Sequence, residues 1–132
     1  MLLSRETDYA LRILQSLLGG ERKSVGEISR EELIPQQFAY KIMKKLSNAG
    51  LVDITRGVDG GCQLIADLEK VSLYDLRAAT DGICEVNNCM DPAFQCPRRE
   101  KKGGCATQKN LISIQRKLDN ELRSYSLKSL LS

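Results

Sequence analysis

The chain of 132 residues contains no histidine. It also has no Gly-x-Ser-x-Gly motif, so no constellation for nucleophilic or acid–base catalysis is present and the expectation is of a protein that is not an enzyme. No apolar run approaches the roughly 18 residues of a membrane span. Internal repeats and low-complexity segments are missing too. The opening MLLSRETDYALRIL has charges within its apolar part and no small-residue cleavage site, unlike a signal peptide. These absences predict a cytoplasmic location and no membrane partner. In that compartment disulfides are rare, and clustered cysteines serve metals or redox sensing.

What is present suits one globular domain with a modest core: 42% hydrophobic and 28% charged residues. The net charge of +3 is too small to imply a nucleic-acid partner, so its distribution matters more. Ser4 reads as the N-cap of a first helix reaching Leu18, with Tyr9, Ala10, Ile13, Leu14, Leu17 and Leu18 on one face and Gly19-Gly20 as its stop. Ser24-Val25-Gly26-Glu27 has the form of a capping box and opens a second helix to about Leu33. Pro35 suits the first position of a third helix, with Phe38, Ile42 and Leu46 on its buried face and Gly50 at its end. Leu51–Arg56 alternates like a strand, Gly57–Gly61 is a turn, and Cys62–Ile65 returns.

A helix-turn-helix followed by such a hairpin is a winged helix. The predicted fold is therefore mainly α with a small β-hairpin. Residues 1–82 form a winged helix-turn-helix DNA-binding domain, closed by a short helix from Ser72 to Gly82. Residues 83–106 form a cysteine-rich loop, and residues 107–132 a long dimerisation helix and tail. On that last helix Leu111, Ile114, Leu118, Leu122 and Tyr125 make a narrow stripe. Such stripes pack on a partner helix, which predicts a homodimer; the alternative is packing back on the chain's own domain.

Between Pro35 and Gly50 lie Lys41, Lys44 and Lys45 with no acidic residue, whereas the second helix holds Glu27, Glu31 and Glu32. Three lysines alone describe a solvated face. Joined to the capping box, Pro35 and the glycine-rich wing, they predict a recognition helix for double-stranded promoter DNA, where neutralised phosphates release counterions. Gln36, Gln37 and Tyr40 are placed to reach base edges, and Lys41, Lys44 and Arg56 to meet the backbone or minor groove.

Leu3-Ser4…Tyr9-Ala10-Leu11, Ile34-Pro35…Phe38…Ile42…Leu46…Ala49-Gly50-Leu51-Val52 and Arg56-Gly57…Gly60-Gly61 resemble the Rrf-type bacterial regulators that include IscR, NsrR and CymR. The likeness runs from Leu2 to about Leu122. It implies a dimeric winged-helix transcription factor; a subset of the family binds an iron–sulfur cluster, two-iron or four-iron, in the loop before the dimerisation helix. Cys89, Cys96 and Cys105 match the three cysteines of that subset in order. The IscR-like members complete the set with histidine, where this chain has Gln108. Asp8 resembles the aspartate ligand that NsrR-like members draw from the other subunit; it also reads as a first-turn acid favourable to the helix dipole. Cys84 is the rival fourth ligand, with a buried thiol as its ordinary role. Arg98, Arg99, Lys101 and Lys102 add positive charge around the loop. After the wing's Gly-Gly this chain has Cys62 in place of the family's aromatic residue, expected to point inward as a small hydrophobe.

The implied function is a regulator sensing iron–sulfur, redox or nitric oxide status. Zinc or a regulatory disulfide in the same loop is the alternative, although structural zinc draws its cysteines as closer pairs. An electron carrier would account for the cysteines but not for the helix-turn-helix.

Overall fold

The computed structural model describes residues 2–99 and 104–132; Lys101 and Lys102 lie outside them. Helix α1 (Arg5–Ser16) begins where the Ser4 side chain accepts the Thr7 N–H at 3.2 Å. It ends short of the two glycines, with a fully buried Leu17 as its cap. Helix α2 (Val25–Glu32) is capped by Ser24, which accepts the Glu27 N–H at 3.1 Å. The Glu27 carboxylate returns to the Ser24 hydroxyl, so only half of the expected box forms here. The reciprocal box closes instead at α4 (Leu73–Asp81), between Ser72 and Asp75.

Pro35 is the N-cap of α3 (Gln36–Asn48) rather than its first helical residue. Ala39, Ile42, Met43 and Leu46 form the buried stripe against α1 and α2. Phe38, expected on that face, is 43% exposed. It lies at the stripe's border, its ring 6.0 Å from that of Tyr9 on α1, because the 3.6-residue period centres the buried face on position 39.

Strands β1 (Val52–Thr55) and β2 (Gly61–Leu64) pair antiparallel, from Val52 opposite Leu64 to Thr55 opposite Gly61. Lys23, just before α2, adds a bridge to Cys62 through bonds of 2.9 and 2.7 Å. The wing is thereby fastened to the helix-turn-helix. Gly61 permits this approach, since a Cβ there would stand 2.4 Å from the Lys23 carbonyl oxygen. Cys62 points inward and is fully buried.

Helix α5 (Ala106–Arg123) buries only Leu122 among its residues. The segment beyond it turns back as α6 (Leu127–Leu131): Leu127 is fully buried and donates its N–H to Val71 at 2.7 Å, and Leu73 donates to Tyr125 at 3.0 Å. The end of the chain thus completes the core beside α4, while α5 carries exposed Ile112 and Ile114. Among the described residues no helix is long and apolar enough to cross a membrane.

Leu33 links α2 to α3 in a left-handed conformation, φ 53°, with its side chain 82% exposed. A Cβ in that region costs about 1–2 kcal/mol, and glycine returns about 0.5–1 kcal/mol of that through unfolded-state entropy. Leu33→Gly should therefore stabilise the fold by about 0.5–1 kcal/mol, whereas Gly61→Ala should lower the denaturant midpoint. Chemical denaturation of both variants checks the pair, and a destabilised Leu33→Gly would show that the exposed leucine makes a contact worth more than its strain.

Candidate nucleic-acid interface and cysteine site

A groove of about 750 Å³ runs between the start of α2, the outer side of α3 and the wing. Gly26, Tyr40, Lys44 and Arg56 line it, so the recognition helix and the wing face one space. Gln36 and Gln37 are exposed in the first turn of α3, outside the groove's lining. Lys41 sits on the opposite flank, against α1. There the Glu6 carboxylate accepts hydrogen bonds from Lys41, at 2.6 Å, and from Lys45. These bonds, Lys41's first, hold the Glu6 carboxyl below its ordinary pKa.

Lys45 also donates to the Thr80 carbonyl at 2.7 Å. Beside it the Thr7 hydroxyl shares a hydrogen bond with Thr80 at 2.7 Å and donates to Asp81 at 2.8 Å, and the Ser4 hydroxyl also donates to Asp81. The start of α1 is thereby tied to α3 and to the end of α4, where the cysteine loop departs. Sequence reading missed Glu6: the pair spans 35 positions, and no local pattern signals it.

In the loop, Cys89, Cys96 and Cys105 line one cavity of about 210 Å³, together with Arg98, Arg99 and Gln108. Cys84 is not among its lining residues; its sulfur lies 3.6 Å from the Gly82 carbonyl. Two glutamines seven positions apart on α5 lay the loop along the helix. Gln108 donates to the Cys89 carbonyl at 2.8 Å, while Gln115 accepts the Val86 N–H at 2.7 Å and donates to the Cys84 carbonyl at 3.2 Å. Arg99 gathers the carbonyls of Cys89, Asp91 and Pro92 at 2.6, 3.2 and 3.1 Å. Gln108, which stands where the IscR-like members have their histidine, is engaged with the backbone.

Cys105 occupies the N-cap position of α5, and its thiol pKa falls below the ordinary value, chiefly because the Gln108 backbone N–H favours the thiolate; Thr107 and the Arg98 charge add to this. Asp8 pairs with Arg12 at 3.0 Å and does not line the cavity of its own chain. Among the described residues no three His, Cys, Asp or Glu side chains are grouped to hold a single metal ion.

More thiolate at neutral pH means faster alkylation. Burial pushes the Cys62 thiol up to about 11. Iodoacetamide should therefore label the native, metal-free protein first at Cys105 and last at Cys62, as read by peptide mass spectrometry. Early labelling of Cys62 would contradict the packing of the wing.

The family described as "Rrf2: Iron-dependent Transcriptional regulator" matches residues 3–132. Protein aau3 of Rhizobium meliloti (strain 1021) is 32% identical over 74% of this chain and 65% of its own length. The HTH-type transcriptional regulator NsrR of Bacillus subtilis (strain 168) is 29% identical over 69% of this chain and 64% of its own. The chain thus covers less than two thirds of the length of either relative. Among solved structures, the global cysteine regulator CymR of B. subtilis shares the fold with a TM-score of 0.75 at 22% identity, covering 99% of this chain and 96% of that one. With a winged helix-turn-helix, a helical C-terminus and a family match across nearly its whole length, the chain belongs to the Rrf2 family of transcriptional regulators, which are DNA-binding proteins and not enzymes.

Proposed function

We propose that this regulator binds double-stranded promoter DNA as a homodimer and reports iron–sulfur, redox or nitric oxide status through a cluster held by Cys89, Cys96 and Cys105, with Asp8 from a second copy as the remaining ligand. The observation that carries the reading is the meeting of those three cysteines on one cavity at the start of α5, with Cys62 and Cys84 outside it. The donor set fits such a group. The thiols are soft, Cys105 is biased toward thiolate, and two guanidinium groups offset the negative charge of a thiolate-held cluster. A cluster spreads its thiolates over separate irons, whereas zinc needs them around one ion.

Among the described residues the cavity lining contains no carboxylate, and the reading takes the remaining ligand from a second copy. Asp8 is half-exposed on the first turn of α1. A second copy packed on the stripe of Leu111, Ile114 and Leu118, where Ile114 is exposed, would cover that apolar surface and bring its own α1 toward the loop. When bound, the cluster, two-iron or four-iron, supplies a centre sensitive to oxygen, nitric oxide and iron loss. Gln36, Gln37, Tyr40, Lys44 and Arg56 then form the DNA-facing surface. In a cytoplasmic regulator the cluster-free loop stays reduced.

A thiol switch is the second reading, favoured by the lowered pKa of Cys105 beside two further cysteines. Fluorescence anisotropy separates the two, using promoter duplex selected from a random pool by the iron-loaded protein. Removing iron anaerobically should change the affinity about fivefold or more, the usual scale of allosteric coupling. An unchanged affinity rejects cluster sensing. A change produced by oxidant and reversed by dithiothreitol in iron-free protein establishes the thiol switch instead.

A further inference from the structure

The charge on the recognition helix is not all free. Of the lysines on α3, Lys44 lines the DNA-facing groove, while Lys41 and Lys45 turn to the Glu6 carboxylate on α1. The two pairs differ. Lys45 has a second acceptor in the Thr80 carbonyl and is the less exposed, so it fastens α3 to the end of α4. Lys41 has Glu6 as its one ion-pair partner among the described residues, and its side chain is 55% exposed. It stands at the surface on the flank facing α1, one helical turn after Gln37, which the DNA-binding reading places at the duplex. It is nonetheless neutralised within the chain.

We infer that Glu6 is a specificity-determining residue: its carboxylate occupies Lys41 and withholds that cation from the phosphates of bound DNA. Phosphate contacts add affinity without sequence information. A protein that withholds one cation per recognition helix gives up affinity for every duplex alike and leaves more of its binding to base contacts. This departs from the sequence expectation for Lys41, which reads as a DNA contact when only the charges of α3 are counted. It rests on the DNA-binding reading proposed above.

The test is binding of random-sequence duplex over a range of salt concentrations, with the full chain carrying Glu6→Gln, Lys41→Gln, or both. Glu6→Gln should tighten binding about two- to fivefold, the span of an exposed ion pair. It should also steepen the dependence of log affinity on log salt by about 0.9 per recognition helix. Lys41→Gln alone should leave the slope unchanged, and in the Glu6→Gln background it should abolish the gain. Thermal melts of each variant establish that the comparison is between folded proteins. Should Glu6→Gln fail to fold, Lys41→Gln decides alone, because a shallower slope in that variant shows that Lys41 already touches phosphate and overturns the proposal. Unchanged or weaker binding by folded Glu6→Gln overturns it too, as does a gain that survives Lys41→Gln. Binding of no duplex by the unsubstituted protein would overturn the DNA-binding reading itself, a different failure from the loss of the Glu6 effect.

Discussion

The first turn of α1 ties α3 to the end of α4, where the cysteine loop departs. Successive residues of a helix point about 100° apart, so Glu6, Thr7 and Asp8 leave the first turn of α1 in three directions. Glu6 meets the lysines of α3, Thr7 is buried against Thr80 and Asp81 at the end of α4, and Asp8 faces outward beside Arg12. The turn is anchored from below, because Ala10, Ile13, Leu14 and Leu17 are fully buried among α2, α3 and α4. A displacement of this turn would reach beyond α1. Its contacts with α3 and with the end of α4 would be disturbed together.

The cysteine site is assembled by backbone contacts more than by the thiols themselves. Gln108 and Arg99 both donate to the Cys89 carbonyl, and Gln115 bridges Val86 and Cys84. These contacts lay the described part of the loop along α5. The same glutamines belong to α5, which presents Ile114 to solvent on another side. Loop position and the proposed dimer face thus share one helix. In the proposed dimer, that arrangement would give a change at the cysteines a short route to the relation between the two winged helices.

The local grammar of the fold is plain in the sequence. Ser4, Ser24 and Ser72 announce helix starts because an N-cap hydroxyl answers an orphan N–H three residues on. Gly60-Gly61 announces the wing. The long-range pairings are silent. Nothing near Lys23 in sequence predicts its bridge to Cys62, and the Glu6–Lys41 pair has no spacing that a periodicity could reveal. Phe38 misleads because hydrophobicity marks the margin of a buried stripe as readily as its centre. Leu127 likewise reads as tail, although it completes the core beside α4. At the cysteine site, residue types and order pointed to Cys89, Cys96 and Cys105 through resemblance. Their convergence, and the separation of Cys84, needed the path of the loop.

The central claim is that three sulfur donors of this loop grip iron and sulfide. Iron and acid-labile sulfide should be assayed in protein prepared without oxygen, in the unsubstituted chain and in Cys84→Ala and Cys96→Ala. The account predicts equal iron and sulfide in the first two and neither in the third. Absence of both from the unsubstituted protein after reconstitution, or their survival in Cys96→Ala, would contradict it.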